Sequence, residues 1–316
     1  MPALWIMLKN VMVFVALAIP GFVLVKTKVL TQGQSGAFSK LLMFVGMPFL
    51  ILTNVINNIT FDRELLLTIG VVALIGIVYT FAMFFLSKPI TAMEKEEKTK
   101  GMMRFCSVFS NNGFLGIPLA MAVFGAGSKA LMVVIILNII TNILMYTLGI
   151  YLVSGDKKAI SFKKAFLNPV LIAFIIGIGL NLLNIKLYVP EVVTYSTYLS
   201  NLVTPISMIV LGMKMGTVKL TSLFKSWKTY YVAALKLVVF PLVIVAIAFL
   251  LKSVWSVVDM DVVLGIFIAF AAPTAGLAST FSDNYDGDTE NAVAFTLGTT
   301  VLSILTIPLI YWLICL

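Results

Sequence analysis

Ser110-Asn111-Asn112-Gly113-Phe114-Leu115-Gly116-Ile117-Pro118-Leu119 lies inside an otherwise apolar run of about residues 102–124, long enough to cross a bilayer. Two adjacent Asn, two Gly and a Pro do not belong in a plain lipid-facing helix. Pro118 has no N–H and its ring clashes with the preceding turn, so Gly116 and Pro118 together favour local unwinding there. Backbone freed at membrane depth must face protein or a water-filled cavity, because lipid cannot satisfy it. Two readings follow. The helix is broken at a solute site, with Asn111, Asn112 and the flexible Gly113 facing the solute. Or it is merely kinked, and the Asn pair joins neighbouring helices.

The rest of the chain supports a membrane setting. Its 316 residues are 61% hydrophobic and 11% charged, and the mean hydropathy is +1.09. Soluble domains carry roughly a quarter charged residues. With roughly 20 apolar residues per span, there is room for about ten spans on short loops. A net charge of +9 would suggest nucleic acid in a soluble protein; here the basic residues read as topology determinants. Cys106 and Cys315 fall in or beside expected spans, so no disulfide framework is implied. The chain has no His, which removes the commonest metal ligand and the usual proton carrier near neutral pH. No cofactor or metal is expected. The first apolar run lacks a basic leader, its first Lys being Lys9, and reads as a span and not as a signal peptide.

Expected spans cover about residues 5–25, 37–57, 65–86, 102–124, 130–153, 168–187, 192–215, 229–251, a ninth after Asp261, and 291–313. A polar turn, residues 57–64, follows the second. In the fifth, Asn138, Thr141 or Asn142, and Tyr146 recur at helical spacing and share one face. Of the 22 Lys and Arg, sixteen, Lys219 among them, flank the odd-numbered loops. Five (Lys9, Arg63, Lys129, Lys186 and Lys252) flank the other side, and Lys236 is left within the eighth span. The bias predicts odd loops in the cytoplasm and both termini outside a cytoplasmic (plasma) membrane.

The halves echo each other. Pro48 in the second span matches Pro205 in the seventh, 157 residues on, and Pro118 in the fourth matches Pro273 in the ninth, 155 residues on. Five spans per half is odd, so the second half enters the membrane inverted. The expected fold is therefore all-α and integral to the membrane: two inverted five-helix repeats, residues 1–155 and 156–316, with broken helices four and nine meeting near the midplane.

On these residues the chain resembles the auxin efflux carrier family, which includes bacterial malate and malonate permeases. The resemblance rests on Asn111-x-x-x-x-Gly116-Ile117-Pro118-Leu119, on Pro273-Thr274-Ala275 followed by Tyr285, Asp288 and Glu290, on Lys236-x-x-x-x-Pro241, and on Thr141-Asn142-x-x-x-Tyr146. It covers essentially the whole chain. It implies a fold related to the bile-acid sodium symporters, with spans 1, 2, 6 and 7 as a scaffold and spans 3–5 and 8–10 as a moving transport domain. It also implies carboxylate substrates and elevator-like alternating access. The plant exporters' long loop between spans 5 and 6 is here about ten residues, 154–164, so a bacterial-type permease is the closer match.

An organic anion needs donors and positive potential. Half-helix N-termini after Pro118 and Pro273 would supply N–H groups and a positive dipole end; Asn111, Asn112 and Asn142 can donate amide hydrogens. With Gly113, Gly116, Tyr146 and Thr274 these are the expected substrate-site residues. Lys236 joins them as a cation at membrane depth, or else snorkels or binds carbonyls freed by Pro241. None of the 13 acids falls clearly mid-span, which argues against a proton or sodium antiporter with a buried acid relay. Asp288 and Glu290 read as caps of the tenth span. No His-Glu-x-x-His motif or acid pair inside a span supports an enzyme, and Asp283–Asp288 fails calcium-loop spacing. The expected function is a secondary carrier of small organic carboxylates. An ion-coupled symporter or antiporter of another solute, or a channel, is the alternative. Expected partners are the anion, membrane lipid and, through the scaffold helices, a second copy of the chain; nucleic acid is not one.

Overall fold

A computed structural model describes residues 2–31, 33–58, 62–217 and 223–316, with backbone only for residues 2–4. Lys219 of the charge count and Ile59, Thr60 and Phe61 of the polar turn lie outside the described residues. Twelve helices of seven residues or more organise the described chain: α1 (Pro2–Lys26), α2 (Gln34–Asn58), α3 (Arg63–Ile90), α4 (Glu97–Val108), α5 (Asn112–Phe124), α6 (Lys129–Ser154), α7 (Pro169–Leu182), α8 (Pro190–Gly216), α9 (Trp227–Val254), α10 (Met260–Ala271), α11 (Ala278–Asn284) and α12 (Thr289–Ile314). Seven are long and apolar enough to cross a membrane: α1, α2, α3, α6, α8, α9 and α12; α5, α7 and α10 are shorter apolar helices.

Polar residues start the helices. Asp62, Ser128, Asn168, Asp259 and Asp288 each accept a hydrogen bond from a backbone N–H in the first turn that follows. This satisfies donors a helix leaves open at its start. The Asp288 cap is the one expected from sequence. The sixth span is shorter than expected. Asn184 adopts a left-handed backbone (φ 51°) that ends α7's course, and a short helix, Ile185–Tyr188, takes over.

Three prolines follow widened turns that do not end their helices. Five-residue π turns occupy Leu42–Gly46, Asn112–Gly116 and Leu235–Val239, and a proline follows two residues after each: Pro48, Pro118 and Pro241. A proline ring collides with the carbonyl four residues back. In each case that carbonyl lies inside the π turn, where the wider backbone moves it aside. A fourth π turn, Met145–Gly149 in α6, has no such proline.

Most helix packing falls within two sets, which α1 bridges by packing on α12 and on α5. α1 lies along α8, and α2 packs on α7 and α8. A Cβ at Gly212 would fall 1.9 Å from the Ala18 carbonyl oxygen, and one at Gly21 2.0 Å from that of Ile209. Glycine is what allows this backbone contact, the usual way membrane helices approach closely. In the other set α6 runs between α3 and α10, and α12 packs on α9, α4 and α11. The ends of the bundle are distinct. Lys129 pairs with Glu64 and Asp259 at one end, and Lys228 with Glu94 and Lys98 with Asp286 at the other.

Candidate functional site

The chain leaves helical geometry at two places, and the two places pair. α4 ends at Val108 and α10 at Ala271; Phe109 and Ala272, which follow, are extended. Ser110 and Thr274 form an isolated antiparallel bridge. The Asn111 N–H donates to the Pro273 carbonyl at 2.7 Å, and the Ala275 N–H to the Phe109 carbonyl at 2.9 Å. Thr274 Oγ1 donates to the Cys106 carbonyl at 2.8 Å, while Thr299 Oγ1 accepts from the Thr274 N–H at 3.1 Å. Each break thus satisfies the backbone the other exposes, as unwound backbone in an apolar surround requires.

The break in the first half lies upstream of where Pro118 would put it. Phe109 is extended and Asn111 is non-helical (φ −81°, ψ 50°), whereas Gly116 and Pro118 sit inside helix. The π turn absorbs the proline clash, so unwinding at Pro118 is unnecessary. The Asn111 carbonyl accepts from both Leu115 and Gly116 N–H groups at 3.2 Å, which starts α5. Pro273, by contrast, does lie in its break.

The two adjacent asparagines have different partners. Asn112 is 2% exposed. Its Oδ1 accepts from Asn138 Nδ2 at 2.9 Å and its Nδ2 donates to Thr141 Oγ1 at 3.2 Å, which ties α5 to α6. Asn142 Nδ2 donates to the Asn138 carbonyl at 2.8 Å. A Cβ at Gly113 would sit 2.9 Å from Asn138 Nδ2, so glycine leaves room for this network. The Asn111 side chain is half-buried and has no protein hydrogen-bond partner among the described residues. Together with Asn112, Gly113 and Asn142 it lines a cavity of ≈ 50 Å³ at the crossing.

A larger vestibule of ≈ 590 Å³ adjoins this cavity, sharing Met43, Phe114, Gly276 and Leu277 with it. Lys40, Lys164, Lys214, Tyr146 and Asp283 are among its walls. Lys214 Nζ donates to the Gly276 carbonyl at 3.1 Å, reaching from α8 to the α10–α11 break. Lys164 Nζ donates to the Tyr285 hydroxyl at 3.2 Å. The Tyr146 and Phe281 rings meet at a tilt of 58°, with centroids 5.2 Å apart.

Residues 5–311 match the family described as membrane transport protein.

The chain belongs to the membrane transport protein family.

Two relatives agree. An uncharacterised transporter of Methanothermobacter thermautotrophicus is 24% identical over 303 residues, covering 95% of this chain and 96% of that protein. Another, of Methanocaldococcus jannaschii, is 25% identical over 292 residues, 90% and 92% of the two chains. In this family member the structure brings Asn111, Asn112, Gly113 and Asn142 to the small cavity and Tyr146 to the vestibule. Gly116, Pro118, Pro273, Thr274 and Lys236 line neither space. Lys236 is 1% exposed; its Nζ donates to Ser110 Oγ and, at 3.2 Å, to the Phe270 carbonyl. It does not reach the α9 carbonyls next to Pro241. Sequence reasoning assigned no site role to Lys214, which reads there only as a charge at a span end. Asn138 and Thr141 carried a signal in their shared helix face, and Ser110 in its place beside the Asn pair.

Proposed function

We propose that this protein is a secondary carrier of small organic carboxylate anions across the cytoplasmic membrane, working by elevator-like alternating access. The observation that carries the reading is the pairing of a lysine-walled vestibule with an amide-lined cavity at the helix crossing. Lys40, Lys164 and Lys214 raise the positive potential on the path to the crossing, and clefts walled by low dielectric focus such a field. All three belong to the side that the charge bias assigns to the cytoplasm. The free Asn111 amide and the start of α5 add donors where the path ends.

Size narrows the substrate. A water needs roughly 10–15 Å³ of such space, so a cavity of ≈ 50 Å³ accommodates a carboxylate group and little more. The body of the anion then rests in the vestibule. Short mono- and dicarboxylates, malate and malonate among them, fit this division.

Two features support alternating access. The α1–α8 and α2–α7 pairs supply a scaffold, and α3–α6 with α9–α12 carry the crossing as one unit, consistent with spans 1, 2, 6 and 7 against the rest. The paired breaks recur in the fourth span of each half, which supports inverted repeats. Lys214 contributes a contact between the two sets that has to open when one slides past the other.

A melting-temperature screen of purified protein with short carboxylates and their uncharged amides tests the substrate class. The expected result is saturable stabilisation by at least one carboxylate and none by its amide. Equal stabilisation by both would remove the anion from the reading.

A further inference from the structure

The buried ammonium of Lys236 has no function in the site so far described. It projects from the π turn of α9, is 1% exposed, and lines neither cavity nor vestibule. A cation at that depth is costly unless paired. Among the described residues no carboxylate pairs with it; the ion pairs all lie at the bundle ends.

Its compensation comes from oxygens and helix ends. Lys236 Nζ donates to the Phe270 carbonyl, one residue before the end of α10, and to the hydroxyl of Ser110, two residues past the end of α4. Ser110 Oγ itself makes a long donation, 3.4 Å, to the same Phe270 carbonyl. Its one proton is thereby turned away from Lys236, and its lone pairs face the ammonium. α4 and α10 both end here, and a helix C-terminus carries about half a negative charge. A carbonyl, a hydroxyl oxygen and two half-helix C-termini are the surroundings in which carriers with broken helices hold a coupling cation. Hard monovalent cations take such oxygen donors in place of water.

We propose that the Lys236 ammonium occupies a cation seat between the C-terminal ends of α4 and α10, so that this carrier holds its cation covalently and works without sodium. A coupling ion has to be bound and released in each cycle. A tethered ammonium group cannot be carried across and released, so it delivers no driving force from a sodium gradient.

The inference rests on the carrier reading only for its transport arm; the stability arm needs no substrate. Melting temperature of the purified protein is measured in sodium chloride and in choline chloride at equal ionic strength. Wild type is expected to melt at the same temperature in both. Lys236→Ala opens space beside Ser110 and Phe270 and is expected to melt lower in choline, with a saturable recovery in sodium. Lys236→Met fills the space without charge and is expected to melt lower with no recovery. Lys236→Ala and Lys236→Met both indifferent to sodium would overturn the seat. If neither variant folds, wild type still decides: substrate uptake into proteoliposomes that is equal with sodium or choline outside supports the proposal, and uptake that requires sodium or follows a sodium gradient overturns it. Absence of a carboxylate response in the melting screen would instead count against the substrate class, leaving the stability arm intact.

Discussion

Asn111 and Asn112 are neighbours in sequence, and replacing each by Ala should separate binding from structure. Asn112→Ala removes two hydrogen bonds, from Asn138 Nδ2 at 2.9 Å and to Thr141 Oγ1 at 3.2 Å, at a site 2% exposed. Side-chain bonds between membrane helices average about 0.6 kcal/mol and reach roughly 1–2 each. Two such bonds therefore contribute about 1–3 kcal/mol, and the melting temperature should fall by several degrees. Asn111→Ala leaves no protein group unpaired, because the Asn111 amide has no protein partner among the described residues. Its melting temperature should match wild type. A hydrogen bond to a charged group contributes about 1.5–3 kcal/mol, so carboxylate affinity should fall about tenfold to a hundredfold. Thermal unfolding in detergent and equilibrium binding of the carboxylate found in the screen are the two assays. A destabilised Asn111→Ala that binds normally, beside a stable Asn112→Ala that does not bind, would refute the division of roles.

Two further outcomes follow from the packing and the loops. Gly212→Leu puts a side chain where a Cβ alone would lie 1.9 Å from the Ala18 carbonyl oxygen; folded protein should be nearly absent on size-exclusion chromatography, and a normal monodisperse yield would show that α1 and α8 are not in backbone contact. The Lys228 ammonium, 2.5 Å from Glu94, holds the Glu94 carboxyl below the usual carboxylate range. The folded state thus loses protons more readily than the unfolded one, so the pair's stabilisation is complete above the ordinary carboxylate pKa and drains away as pH falls through the depressed one. Lys228→Met should flatten the acid side of the melting-temperature profile, and an unchanged acid limb would remove the pair from the account.

Much of the architecture was legible in residues. Hydropathy and charge located the helices to within a few positions, because lipid demands apolar length and the bundle ends collect the lysines. The matched prolines pointed to two breaks, and the breaks do pair through Ser110 and Thr274. The register of the first break was not legible. A proline clash can be relieved by unwinding or by a π turn, and only packing decides; around Pro118 the π turn prevails. Nor could sequence say which asparagine is captured by α6 and which keeps a free amide at the cavity, since the α6 partners that bind Asn112 are 26 and 29 residues away. Lys236 was legible as a cation within a span, with snorkelling to the surface left open. Its partners were not, because Phe270 offers a backbone carbonyl, which no sequence pattern marks. Lys214 was hidden among the topology lysines, and only its reach to Gly276 distinguishes it.

The central claim is that a carboxylate passes the lysine-walled vestibule and the crossing by a carrier mechanism. Counterflow in proteoliposomes tests it most directly: vesicles loaded with an unlabelled short carboxylate are diluted into a trace of the labelled one. The account predicts a transient, saturable accumulation of label that is strongly reduced in Lys214→Gln, which retains the membrane fold but loses the cation beside Gly276. Label that enters every vesicle linearly with concentration, without stimulation from inside, or no entry of any short carboxylate, would contradict it.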